Sequence, residues 1–148
     1  MRVQLNRSDR NEAFVPNSTA LPVPGLDRQR PGAAVVVLGQ AGRVAALAAQ
    51  LPAGWSVRFA ASAREVDPGE IVLISGAREG AVRDARAVVA RRTRIVALVD
   101  EDAAADLVTA VLTAGADACV RGGQPAILAS HLVACRRRQL ADRWTNVP

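Results

Sequence analysis

Lysine and tyrosine are absent from this 148-residue sequence, and histidine occurs once. With His131 alone, a Ser–His or Cys–His catalytic pair would depend on a single long-range meeting, so its apolar neighbours favour a packed or half-buried helical histidine. Two cysteines, Cys119 and Cys135, make neither a disulfide framework nor a metal-ligand set; they read as small buried residues in a reducing compartment. Aromatic residues are 3% of a chain that is 50% hydrophobic. The core is therefore built from Ala, Val and Leu, which favours Val-rich strands alternating with helices over an aromatic-rich sandwich. No apolar run approaches the roughly 20 residues that span a bilayer. Met1 to Arg10 lead into no apolar stretch of the secretory kind. A soluble, cytoplasmic protein with no membrane contact is expected.

All 19 basic residues are arginine, against 14 acids, for a formal net charge of +5. Five Arg and three acids precede residue 31, leaving 14 Arg against 11 acids, or +3, from Pro31 onward. That balance permits weak attraction to nucleic acid and does not demand it. Exclusive use of Arg fits the base composition of the coding DNA better than selection for bidentate phosphate contacts. Residues 1–31 contain Pro16, Pro22, Pro24 and Pro31 and show neither strand nor helix period. The expected organisation is a disordered N-terminal tail over 1–31, one domain over 32–144 and a short C-terminal tail over 145–148.

Within the domain, Ala33 to Leu38 is a continuous apolar run ending at Gly39, as in a strand buried on both faces of a parallel sheet. Val44, Leu47, Ala48 and Leu51 then recur at helical spacing, which predicts a helix over Arg43–Leu51 closed by Pro52-Ala53-Gly54. Trp55 to Ala60 is a shorter second strand, and Ile71 to Ile74, after the turn Asp67-Pro68-Gly69, a third. A helix follows over Glu79–Arg92, acidic at its start and basic at its end. Ile95 to Val99 is a fourth strand, and Asp100-Glu101-Asp102 is expected to open a fourth helix running to Thr113. Val120 centres a fifth strand. The last helix, Ala126–Arg143, places Ile127, Leu128, His131, Leu132, Cys135 and Leu140 on one side. Five strands alternating with helices predict a doubly wound five-stranded parallel sheet of flavodoxin-like order 2-1-3-4-5, in three α/β/α layers.

The segment Ala114-Gly115-Ala116-Asp117-Ala118-Cys119-Val120-Arg121-Gly122 resembles the last strand of a response-regulator receiver (CheY-like) domain in the NarL/LuxR style. The resemblance covers Ala33 to Arg143. It implies two adjacent acids after the first strand to hold Mg²⁺, an acceptor aspartate after the third, Thr or Ser after the fourth and Lys after the fifth. The matching positions are Gly39 and Gln40, Ser75, Val99 and Gly122, and Cys119 stands at the aromatic switch position. With the metal ligands, acceptor and lysine all replaced, aspartyl phosphorylation should be lost. The resemblance then implies a pseudo-receiver: a non-enzymatic regulatory or protein-interaction module in signal transduction or transcriptional regulation, with no cofactor or metal. The chain has no room for a DNA-binding output domain, so direct nucleic-acid contact is not expected. The expected partner is a protein or a second copy, docked on the face made by the fourth helix, fifth strand and fifth helix, with Arg136, Arg137, Arg138 and Arg143 as a charged rim.

An alternative is a nucleotide-binding sensor. Gly39-Gln40-Ala41-Gly42-Arg43-Val44 follows a strand and resembles a worn G-x-G-R-V-G loop of regulatory domains of potassium transport, with one glycine of three and no acid ending the second strand. A tight strand-to-helix turn is the favoured account of it, although the helix N-terminus could attract an anion. Asp100, Glu101 and Asp102 point in different directions as successive residues and read as first-turn acids rather than metal ligands. Ser75 lacks a G-x-S-x-G elbow. Arg136 to Arg138 span most of a helical turn, and only Trp144 accompanies them for stacking on a base. Because residues 1–30 lack periodic apolar residues, their deletion should shift the melting temperature by less than about 5 °C. A larger fall in a thermal melt would show docking, with Phe14 and Val15 the first suspects.

Overall fold

The computed structural model describes residues 32–145, with side chains described through Asp142; both expected tails except Thr145 lie outside the described residues. Five parallel strands form one sheet: β1 (Ala34–Gly39), β2 (Ser56–Phe59), β3 (Ile71–Ser75), β4 (Ile95–Val99) and β5 (Ala118–Arg121). Their order is β2-β1-β3-β4-β5, the flavodoxin-like order expected. Register is tight at the centre, where Val36 lies beside Val72 and Leu73 beside Val96.

The three α-helices are α1 (Glu79–Val88), α2 (Ala105–Ala114) and α3 (Pro125–Thr145). Strand alternation divides the core between the two faces. Val35, Val37, Ile71, Leu73, Val96, Leu98 and Val120 meet Leu128, Leu132 and Cys135 of α3, together with Val44 and Leu47. Val72, Ile74, Ile95, Ala97 and Val99 meet Val82 and Ala85 of α1 and Val111 of α2. Every residue of β3 and β4 is buried, which explains their unbroken apolar runs.

Several expected elements differ. The helix over Arg43–Leu51 is instead two 3-10 turns, Ala41–Val44 and Ala48–Gln50, although Val44 and Leu47 are buried as the spacing requires. Gln40 gives no side-chain cap and the first turn holds no acid, so nothing offsets the cost of nucleation. The helix expected to reach Arg92 stops at Val88. Val89 is extended, and Nη2 of Arg86 turns back to the Ala90 and Thr93 carbonyls at 2.9 and 2.8 Å. Asp100-Glu101-Asp102 forms a turn, with the Ala103 N–H on the Asp100 carbonyl at 3.0 Å, and α2 begins only at Ala105. On α3 the buried positions are Leu128, Ala129, Leu132, Cys135 and Gln139. His131 is exposed, not packed, because it precedes the Leu132 position by about 100° of helical rotation. Ile127 and Leu140 are exposed as well.

Two arginine–carboxylate clusters fix the ends of these elements. At the amino ends of β4 and β5, Asp117 accepts the Ile95 N–H at 2.8 Å and Nη1 of Arg94 at 3.2 Å, while Arg94 also pairs with Asp142 of α3. Between β2 and β3, Arg58 grips Glu70 with Nε at 3.0 Å and Nη2 at 2.7 Å, and Glu70 also accepts the Asp67 N–H. The bidentate bond holds the Glu70 carboxyl below its usual value, more strongly than partial burial raises it. A depressed folded-state pKa contributes stability above the unfolded value and loses it as the proton binds. Stability should therefore fall as pH drops below about 4. Glu70→Gln should flatten part of that fall in urea denaturation followed across pH.

Candidate functional site

The carboxyl ends of the strands converge where open α/β sheets bind ligands. There the Gln40 N–H donates to the Ser75 carbonyl at 3.2 Å, the Gly76 and Ala77 N–H groups both donate to the Leu98 carbonyl, and the Gly122 N–H donates to the Val99 carbonyl at 2.9 Å. The loops after β1, β3 and β5 are thus tied to neighbouring strand ends by their own backbone. Gly39 has φ +93°, and a Cβ there would stand 2.4 Å from the Ser75 carbonyl oxygen. Only glycine fits this approach.

Ser75 is 1% exposed, and its hydroxyl has no hydrogen-bond partner. The Gln40 amide lies over Gly76, where an added Cβ would come within 2.9 Å of it. Val99 is buried, and Gly122 packs against Glu101. Arg43 reaches Asp100 at 2.5 Å, joining the loop after β1 to the turn after β4. Gln40, Arg43, Gly76, Arg78, Val99 and Asp100 line a cleft of about 360 Å³. Among the described residues no group of three or more His, Cys, Asp or Glu could hold a metal ion. Asp100 pairs with Arg43, whereas Glu101 and Asp102 are exposed on the turn. A buried serine with no base beside it is not an activated nucleophile.

Both cysteines are free; burial pushes each thiol up, with Arg121 opposing it at Cys119 and Arg138 at Cys135. Neither is poised as a thiolate at neutral pH. The loop proposed for nucleotides, Gly39 to Val44, leads into a four-residue 3-10 turn. It therefore lacks the α-helical N-terminus on which a dinucleotide loop seats its phosphates.

The arginines of α3 point different ways. Arg136 is half-buried and donates to Oε1 of Gln139 at 2.9 Å. Arg137 is exposed on the flank facing Gln50 and Pro52. Arg138 is exposed, contacts the Cys135 sulfur at 3.9 Å, and shares the other flank with Ile127, His131 and Asp142 by helical spacing. The Arg143 side chain lies outside the described residues. No sequence signal identified the Arg43–Asp100 pair, since their meeting depends on where two loops end.

No family model matches the chain, and no curated protein sequence matches it. Solved structures do. A signal receiver domain of a protein described as a Luxo repressor from Vibrio parahaemolyticus is 11% identical with a TM-score of 0.60, covering 78% of this chain and 98% of that one. A CheY-like protein (TadZ) from Pseudomonas aeruginosa PAO1 is 24% identical with a TM-score of 0.55, covering 73% and 93%. A protein described as the pilus assembly protein CpaE from Burkholderia thailandensis E264 is 19% identical with a TM-score of 0.54, covering 69% and 95%. The chain has the CheY-like receiver fold. Among the described residues, no helix is long and apolar enough to cross a membrane.

The sealed acceptor position makes a direct prediction. Ser75→Asp should destabilise the domain by about 2 kcal/mol at neutral pH, because it buries a carboxylate without a donor. Ser75→Ala, which removes an unpartnered hydroxyl, should be neutral within about 0.5 kcal/mol or stabilising. Denaturant midpoints of the two variants check both.

Proposed function

We propose that this protein is a pseudo-receiver: a non-catalytic interaction module of the receiver fold that works in signal transduction or transcriptional regulation without aspartyl phosphorylation. One observation carries the reading. The positions that would hold the metal ligands, acceptor, hydroxyl and lysine are Gly39, Gln40, Ser75, Val99 and Gly122, and they meet at one edge of the sheet with Ser75 buried and Arg43 joined to Asp100. Phosphoryl transfer to a receiver rests on positioning and charge neutralisation, and these five positions hold no carboxylate for a metal and no lysine for a phosphoryl group. The fold occurs both in a signal receiver domain and in a protein described as a pilus assembly protein, so a role in regulated assembly is compatible with it.

The module binds a protein partner or a second copy through the α2, β5 and α3 face, in the cytoplasm. Supporting this, β5 is an edge strand, Ile127 is 48% exposed on the α3 flank beside it, and Arg138 lies on the same flank. An exposed apolar residue beside a charge has the composition of an interface patch and its rim. Of the four arginines proposed as a rim, Arg138 suits this face. Arg137 belongs to the opposite flank.

The test combines chemistry and contact. Intact-mass measurement after acetyl phosphate and Mg²⁺ should show no added phosphate; a base-labile adduct of one phosphate would overturn the pseudo-receiver reading. Arg138→Glu should weaken self-association or partner capture in a salt-dependent way with folding intact, while Arg137→Glu has little effect. Light scattering showing a monomer at tens of micromolar, together with native-extract capture that is indifferent to Arg138→Glu, would sink the interface.

A further inference from the structure

Residues 60–70 cross from β2 to β3 and form only the three-residue turn Ala63–Glu65. A crossover between parallel strands usually carries an α-helix that covers the sheet. Its absence leaves a cleft of about 570 Å³ between the crossover and α1, walled by Leu38, Ile74, Ala81, Ala85 and Val88. Three more alanines, at 61, 63 and 87, complete the apolar lining, so single methyl groups keep the space open. Val88 is 46% exposed on its wall.

The polar groups of the cleft are few and placed on opposite sides. Ser62 and Arg64 belong to the crossover, and Asp84 to α1. The Ser62 hydroxyl accepts the Arg64 backbone N–H at 3.1 Å and keeps its own proton to donate. Among the described residues, neither the Arg64 guanidinium nor the Asp84 carboxylate forms an ion pair. The cleft reaches Gly39 and Gly76 at the carboxyl ends of β1 and β3. This is where the strand order reverses, with β2 on one side of β1 and β3 on the other. Ligand crevices of open α/β sheets fall at that switch point, and small-molecule sites combine this size with apolar walls and a few converging polar groups.

We propose that this cleft binds a small molecule with a flat apolar body, one anionic group and one hydrogen-bond donor. The body lies between the sheet face and α1, the anion meets Arg64 and the Ser62 hydroxyl, and the donor meets Asp84. The site adjoins the strand-end cleft of Gln40 and Arg43 and shares Gly76 with it, but its walls lie against α1, so it stands whether or not the pseudo-receiver reading does.

Anilinonaphthalene sulfonate has this chemistry and serves as the probe, in fluorescence titration and amide chemical-shift mapping of the full chain. Saturable binding is expected with a Kd below about 1 mM, with shifts centred on Leu38, Ala81, Ala85 and Val88. Ala81→Trp and Ala87→Trp, both at exposed positions of α1, should each weaken binding about tenfold without loss of helical circular dichroism. If one of them unfolds the chain, the other carries the test. Arg64→Glu should weaken binding most at low salt. Absence of saturable binding in that range, shifts centred outside the cleft, or undiminished affinity in a folded tryptophan variant would each overturn the proposal.

Discussion

The burial of β3 and β4 on both faces is the constraint from which the architecture follows. No residue of either strand is more than 4% exposed, so both sides of the sheet centre must be largely covered by apolar chain. Parallel pairing leaves room for that cover because each connection has to cross from one sheet end to the other. On one side α3 supplies it with Leu128, Leu132 and Cys135, aided by Val44 and Leu47; on the other, α1 and α2 supply it with Val82, Ala85 and Val111. The same arrangement gathers all five carboxyl ends at one edge. The residues that end the strands thus meet whatever their identity, and their chemistry decides what that edge can do.

At that edge stand the neutral residues Gly39, Gln40, Ser75, Val99 and Gly122, the Arg43–Asp100 ion pair and Arg78. A divalent cation needs oxygen ligands to offset its dehydration, and Gly39, Gln40 and Ser75 bring no carboxylate. Arg43 instead carries a fixed positive charge to Asp100, with side-chain exposures of 37% and 60%. A pair so exposed contributes on the order of 0–1 kcal/mol, so its consequence is geometric rather than energetic. It ties the loop after β1 to the turn after β4. Backbone bonds from Gly76, Ala77 and Gly122 to strand-end carbonyls tie the remaining loops in the same way.

How much of this was legible depended on the range of the interactions involved. The five strands and their order were legible because burial on both faces writes itself as unbroken runs such as Ile71 to Ile74 and Ile95 to Val99. The positions of Val44 and Leu47 were legible as buried residues, yet the helix expected to carry them is two 3-10 turns. Apolar spacing records which residues face the core, and the local conformation also requires caps that Gln40 and Ala41 do not provide. Asp100 to Asp102 read as the start of a helix because acids suit a first turn, whereas the chain places a turn there and starts α2 at Ala105. His131 was misassigned because apolar neighbours in sequence are not neighbours around a helix. The replaced strand-end residues could be named from sequence, while the burial of Ser75 and the Arg43–Asp100 contact arise from loops brought together by the fold.

On the pseudo-receiver reading proposed above, the domain lacks the usual source of a receiver's conformational bias. A bound group shifts an equilibrium only by its differential affinity for the two states. On that reading Val99 and Cys119 offer neither a hydroxyl nor an aromatic ring to answer a phosphoryl group at the strand ends. On the same reading, control over the α3 flank comes from a molecule bound elsewhere or from the proposed partner itself. The cleft beside α1 lies on the sheet face opposite α3, yet Arg86 of α1 and Asp142 of α3 converge on the same cluster: Arg86 lies 3.6 Å from Asp117, which Arg94 links to Asp142. That chain of ion pairs is a physical connection between the two faces around the amino ends of β4 and β5. Contact alone does not establish coupling. It does place Asp117 where a contact from α1, the start of β4 and the link to α3 meet in one side chain.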